Sequence, residues 1–213
     1  VVALLHRCGR RNDPPLVDKI LTELKAPALR QPPAVEQAMG VAAKTLIDIL
    51  LQMHAAVAGL NTALEEAFAK HELAPVLTSV PGLGTVLSAR ILGEVGDDMA
   101  RFQTTANLKS FAGTAPVTRA SGKASYVKAR KARNKRLGDA CHWWAYASLT
   151  RSPAARTYYD QRRSLGDSHN AALRNLANKL LGRLWWCMQN QQTWDDDAAW
   201  SARSQLEPKA TAA

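Results

Sequence analysis

At 213 residues, 46% hydrophobic and 22% charged, the chain has the composition of a globular protein with a sizeable core, not of a disordered one. Its formal net charge of +10 points to an anionic partner, nucleic acid before any other. Cys8, Cys141 and Cys187 are odd in number, far apart and without CxxC spacing, which argues against a zinc site or a disulfide framework and fits a reducing cytoplasm.

Residues 1–32 read as short helical pieces broken by Pro14-Pro15, Pro27 and Pro32-Pro33, with Asp13 as the N-cap of a helix over residues 16–24. The chain begins at Val1 inside an apolar run, and this stretch reads as a linker after an N-terminal domain of something longer. From residue 33 to about 72 the spacing predicts one long helix, with Met39, Ala42, Leu46, Ile49, Met53, Val57, Leu60, Leu64 and Phe68 drawing a single stripe. That length approaches a coiled coil. The stripe can pack on its own domain or form a homo-oligomeric seam, and both readings stay open. No unbroken apolar run reaches the roughly 18 residues of a membrane span, so no membrane partner is expected.

A compact helical domain is expected over residues 73–194. It opens with two apolar segments around Pro81-Gly82-Leu83-Gly84, the pattern of a helix-hairpin-helix. The glycines permit positive φ, Leu83 would plug the hairpin, and Thr85 would cap the second helix, whose free N–H groups suit a phosphate. The other reading is a plain packing element. A helix follows to Ala112, capped by Thr104 or Thr105 and ended by Gly113; another covers residues 137–149, with Leu137, Cys141, Trp144 and Ser148 inward and Trp143 off that face. Ser152-Pro153 turns into a helix that Gly166 ends. The last helix, over residues 170–191, buries Leu173, Leu176, Leu180, Leu184 and Met188 and wets Arg174, Lys179 and Arg183, while Trp185, Trp186 and Trp194 read as packing. Residues 195–213, opening on Asp195-Asp196-Asp197, read as a disordered tail. The fold class is therefore all-α, a long coiled-coil-like helix followed by a compact helical domain.

Between these helices lies the basic stretch, GTAPVTRASGKASYVKARKARNKRL over residues 113–137. Arg119, Lys123, Lys128, Arg130, Lys131, Arg133, Lys135 and Arg136 stand there without an acidic residue. Pro116 and Ser121-Gly122 make its first half a loop. Surface charge ordinarily mixes signs, so eight uncompensated cations beside a hydroxyl suggest a site for a nucleic-acid backbone. From spacing alone Ser121 is a turn residue before it is a nucleophile.

The run VPGLGTVLSARILGEVGD, then RF, then LKSFAGTAPVTRASGK, then NKRL resembles the C-terminal domain of bacterial insertion-sequence transposases that carry an N-terminal four-carboxylate (DEDD), RNase-H-like domain. The resemblance extends from residue 76 to residue 186 through RTYYDQRRSLGDSHNAALRNLANKLLGRLW. It implies DNA transposition guided by a bridge RNA, in the cytoplasm at the nucleoid, with Ser121 of the SGK motif attacking a DNA phosphodiester. It implies phosphate contacts from the hairpin and from Gly122 and the surrounding cations; Arg130, Arg133 and Arg136 follow Ser121 closely enough to converge on one phosphate. Magnesium is implied only for the carboxylate domain, no counterpart of which is present in these residues, so no cofactor is expected here and this stretch alone is expected to be inactive. The competing reading is a helix-hairpin-helix module that binds DNA or RNA and does no chemistry.

Overall fold

A computed structural model describes residues 1–7, 14–27, 30–122 and 124–201 of the chain. The architecture is all-α, with one two-stranded hairpin among the described residues. The chain divides into two compact units, Val1–Ala56 and a second that starts at Val57.

The first unit holds α1 (Val2–Arg7), α2 (Pro14–Lys25) and the first part of α3 (Pro33–Ala69). Pro14 and Pro33 each stand at a helix start, where the missing N–H of proline is no loss. The expected cap Asp13 lies outside the described residues. α3 is continuous for 37 residues, about 55 Å. The division between units falls inside it rather than at residue 72, because Phe68 near its end is buried in the core of the second unit.

Among the described residues none covers the predicted stripe from Met39 to Leu60: Leu46, Met53 and Leu60 are each about 60–70% exposed, and only Phe68 at its end is buried. Val41, Ile47 and Leu50, off the stripe, are exposed as well. α3 is long and apolar enough, by length and composition, to cross a membrane. Lys44 and Asp48 break any uninterrupted apolar run without lowering the average far, so a search for unbroken runs passes over it. We expect the uncovered stripe to be a seam between copies, so that Leu46→Glu with Leu60→Glu converts a dimer or larger species to monomers in sedimentation velocity. A monomeric unmodified chain would refute the seam, and flotation of that chain with lipid vesicles would assign the apolar surface to a bilayer instead.

The second unit is built around α9 (His169–Asn190). Leu173, Leu176, Leu180, Leu184 and Met188 form its buried stripe, as the 3.6-residue period predicts. Against α9 pack α4 (Ala74–Thr78), α6 (Thr105–Ala112), α7 (Lys135–Ser148) and α8 (Pro153–Ser164), while α5 (Thr85–Val95) lies on α7. Side-chain caps fix the helix starts: Thr104, Asn134, Ser152 and Ser168 each accept a hydrogen bond from the backbone N–H three residues on. Gly113 ends α6 in the left-handed region at φ 74°.

The turn before α5 is docked rather than free. Trp144, wholly buried in α7, donates its indole N–H to the Pro81 carbonyl at 3.0 Å. Gly82 has φ 83°, and a Cβ there would stand 2.7 Å from the backbone nitrogen of Ser148. Only glycine meets both demands. Leu83 is buried, as expected of a plug. Thr85 is not the cap: it is the first residue of α5, and Gly84 in extended conformation takes the cap position without a side-chain bond.

The expectation of disorder from residue 195 is also corrected. α10 (Asp196–Ser201) is helical. Asp196 accepts hydrogen bonds from Ser152 Oγ and from the indole N–H groups of Trp194 and Trp200. The acidic run that reads as a solvated tail is thus a helix start anchored to the core through one carboxylate. The remainder of the expected tail lies outside the described residues.

Candidate nucleic-acid interface

The first half of the basic stretch is a hairpin, not a loop. β1 (Val117–Ser121) pairs antiparallel with β2 (Ala124–Lys128), in the register Val117 to Lys128, Arg119 to Tyr126 and Ser121 to Ala124. Two residues, Gly122 and Lys123, connect the strands. Gly122 has φ 57°, as the primed turns of two-residue hairpins require, with open space where a Cβ would stand. Lys123 lies outside the described residues.

Strand alternation sorts the side chains. Val117, Arg119 and Ser121 share a face with their cross-strand partners Lys128, Tyr126 and Ala124. The ammonium of Lys128 sits 4.8 Å from the Tyr126 ring centroid, which fits that sorting. Arg119, two positions along from Ser121, lies about 7 Å from it on the same face. The hairpin covers no core: residues 118–121 of β1 are exposed, and so are Tyr126 and Val127. A two-stranded ribbon without a covered face is marginal in water, so this one gains order when a partner lies along it.

Ser121 sits at the tip, and the arginines expected to converge on its phosphate sit beyond the base. β2 carries the chain about 13 Å from the turn before Arg130 is reached. Arg136 takes a different course, 3.7 Å from Glu94 of α5 and otherwise exposed. Glu94 also accepts from the Asn134 amide at 2.7 Å, so the capping residue of α7 joins α5 to the basic stretch. Lys131 and Lys135 are exposed, and Arg130 is half-buried.

Arg130, Lys131, Arg133 and Lys135 line a groove of about 850 Å³ between the end of α6, the start of α7 and α9. Arg174, expected on the wet side of α9, is half-buried and lines the same groove, with Asn170 and His142. Sequence reading misses Asn170 and Arg174 because α9 begins more than thirty residues beyond the basic stretch, and only the packing of α9 on α6 and α7 brings them beside His142 of α7. No local pattern marks them.

The helix-hairpin elements form a separate surface. Pro81, Gly82 and Thr85 are half-buried and Leu83 is buried, which leaves Gly84 exposed at the start of α5. The first N–H groups of α5 lack intrahelical acceptors, as at every helix start, and Gly84 adds no side-chain cap. Tyr126 and Tyr146 are exposed, whereas several other nucleophiles are engaged or shielded. Burial pushes the Cys141 thiol up to about 12 and raises Cys187 as well, which keeps both protonated and inert. The Tyr159 hydroxyl is bonded to His169 at 2.7 Å, and the Lys179 ammonium stands 3.7 Å from the centre of the Tyr158 ring. Among the described residues no group of three His, Cys, Asp or Glu side chains could hold a metal ion.

With this geometry in place, comparison with known proteins is informative. Residues 74–160 match the model of the transposase IS116/IS110/IS902 family. A mini-circle protein of Streptomyces coelicolor, assigned as the IS117 transposase, is 45% identical over 175 residues, covering 81% of this chain and 42% of that protein. The IS900 42 kDa protein of Mycobacterium paratuberculosis is 40% identical over 123 residues, covering 57% of this chain and 31% of its own length. The IS110 43.6 kDa protein of S. coelicolor is 39% identical over 143 residues, covering 67% and 34%. The chain thus spans less than half the length of each of these relatives.

Proposed function

We propose that this chain is the serine-bearing part of an insertion-sequence transposase, and that Ser121 is its nucleophile toward a DNA phosphodiester. The match over residues 74–160 and the insertion-element relatives support transposition in general. The observation that carries the finer reading is the hairpin: an exposed serine at the tip of a basic ribbon, with Arg119 on its face and no core beneath it.

Chemically, Ser121 Oγ attacks phosphorus as its proton leaves to a base. The Oγ–P bond forms, the P–O bond to the leaving deoxyribose oxygen breaks, and that oxygen takes up a proton. Arg119 is placed to offset charge on the non-bridging oxygens, which grows as the phosphorus becomes five-coordinate. The strand end is held as a covalent serine phosphodiester until a second hydroxyl reverses the step. Magnesium is implied by the resemblance for a carboxylate-bearing region of the whole protein, and no step above runs through it. The α4–turn–α5 element, read as a helix-hairpin-helix, adds a sequence-independent phosphate contact at Gly84 and Thr85. A guide RNA is the second nucleic acid partner, and α3 is the homo-oligomeric seam. The site of action is the bacterial cytoplasm, at the nucleoid.

Two measurements test this reading. Full-length protein with guide RNA and DNA should yield a denaturation-resistant protein–DNA adduct that maps to Ser121 by peptide mass. An adduct on Tyr126, Tyr158 or Tyr159 would mean another mechanism. Duplex affinity should also fall steeply with salt, and Arg130→Gln, Arg133→Gln and Arg136→Gln together should flatten the log–log slope by about 0.9 for each phosphate that is no longer neutralised. An unchanged slope would remove the basic stretch from the interface.

A further inference from the structure

We infer that the groove lined by Arg130, Arg133 and Arg174 binds a nucleic-acid phosphodiester separate from the one that faces Ser121, and that Arg174 completes this second site. The inference rests on the reading that the chain works on nucleic acid, and it assigns a residue and a surface that the basic stretch alone does not contain.

Three observations carry it. First, the Nε–H groups of Arg130 and Arg174 are withdrawn from solvent and have no hydrogen-bond acceptor. A guanidinium N–H removed from water without a partner is unfavourable, so two of them at one groove indicate an acceptor that arrives from outside. Second, the protein does not supply that acceptor. The carboxylate lining the groove is Asp139, and it is held by Arg90 of α5 at 2.8 Å. Third, Arg133 is set in a slot. A Cβ on Gly113 would stand 2.1 Å from Arg133 Cδ, and one on Gly138 would stand 2.8 Å from the Ala112 carbonyl and 3.5 Å from Arg133 Cζ. Gly113 gives the arginine stem room at the end of α6, while Gly138 lets the start of α7 approach the Ala112 carbonyl.

The chemistry selects the ligand class. Arg130, Arg133 and Arg174 offer donors only, in forks that match non-bridging phosphate oxygens. Lys131 and Lys135 add charge at the rim. A cavity of about 850 Å³ exceeds one phosphate group and suits a stretch of sugar–phosphate backbone. β2 carries the chain about 13 Å from the hairpin tip before the residues that line the groove, so the groove lies toward the base of the hairpin. The groove therefore grips a strand some nucleotides away from the reacting one and sets its register. DNA and guide RNA share this chemistry, and the experiment separates them.

The test uses full-length protein, with a duplex DNA and a structured RNA titrated separately across a salt series. Arg174→Gln should weaken binding of one polymer by about 10- to 100-fold and flatten its log–log salt slope by about 0.9 for duplex or about 0.7 for single strands. Arg174→Lys should restore the slope but not the whole affinity, because lysine keeps the charge and loses the fork. Gly113→Ala, which leaves every cation in place but would put a Cβ 2.1 Å from Arg133 Cδ, should lower affinity for the same polymer. Arg151→Gln, an exposed arginine outside the groove, should change neither quantity. A loss confined to DNA assigns the groove to the target strand, and one confined to RNA assigns it to the guide. If affinity and slope for both polymers survive Arg174→Gln while Arg119→Gln with Lys128→Gln, on the hairpin and outside the groove, loses them, the second site is overturned and the nucleic-acid reading stands. If unmodified protein binds neither polymer at low salt, both are overturned.

Discussion

Ser121→Ala in the full-length protein is expected to abolish strand transfer, by at least the several orders of magnitude that loss of a covalent nucleophile brings, while leaving DNA and RNA affinity within about twofold. The separation follows from where the residue sits. Ser121 is exposed at the end of β1, so removing its hydroxyl takes away neither packing nor charge, and surface changes of this kind alter stability by about 0.5 kcal/mol or less. The covalent adduct should vanish with the activity. Ser121→Cys is a useful companion: a thiol keeps a nucleophile at the same place, and any residual adduct should then join DNA through an S–P bond. Gly122→Val should also impair transfer, since a β-branched residue at φ 57° strains the turn that presents Ser121. Recombination retained in Ser121→Ala would end the assignment.

The largest stability effect should come from Trp144→Ala. Trp144 is wholly buried and joins α7 to the turn before α5 through its bond to the Pro81 carbonyl. Removing a buried tryptophan costs about 3–5 kcal/mol, and the orphaned carbonyl adds to it. Against a total stability of about 5–15 kcal/mol this is a large fraction, and for a chain of this size it should lower Tm by about 10–15 °C. Trp144→Phe should recover most of the packing and leave only the missing hydrogen bond, near 1–3 kcal/mol. Trp143→Ala, one residue away but about half exposed, is expected to shift Tm by no more than a degree or two. Equal effects for the two tryptophans, read by thermal melts, would mean that the turn before α5 is not anchored through α7.

These two residues also show how much could be read in advance. Trp144 falls on the inward face of a 3.6-residue period, and the caps Thr104, Ser152 and Ser168 stand where a hydroxyl precedes a helical run, so the helices and their core were legible from local pattern. The hairpin was not, although a Gly-x pair between VTRAS and ASYVK is a two-residue turn between β-formers. The density of charge drew attention from that alternation. Pairing in turn moved Arg130 and Arg133 away from Ser121, which sequence proximity had put together. Asp196 misled differently: three consecutive aspartates look solvated, and only Ser152, Trp194 and Trp200, distant or bulky partners, make one of them structural. Arg174 had no signal, since its place depends on the packing of α9 against α6 and α7.

The hairpin that covers no core also has an evolutionary consequence. Folding free energy resides in α4 to α10 and their buried stripe, whereas Ser121, the proposed nucleophile, rides on a ribbon that contributes little to it. Selection for chemistry and selection for stability therefore act on nearly separate sets of positions. Lineages can vary the ribbon's length, charge and outward side chains at small cost in fold stability, provided Gly122 and the strand register survive. On the proposed reading, the helical unit then serves as a chassis that tolerates change at the edge where the chemistry would take place.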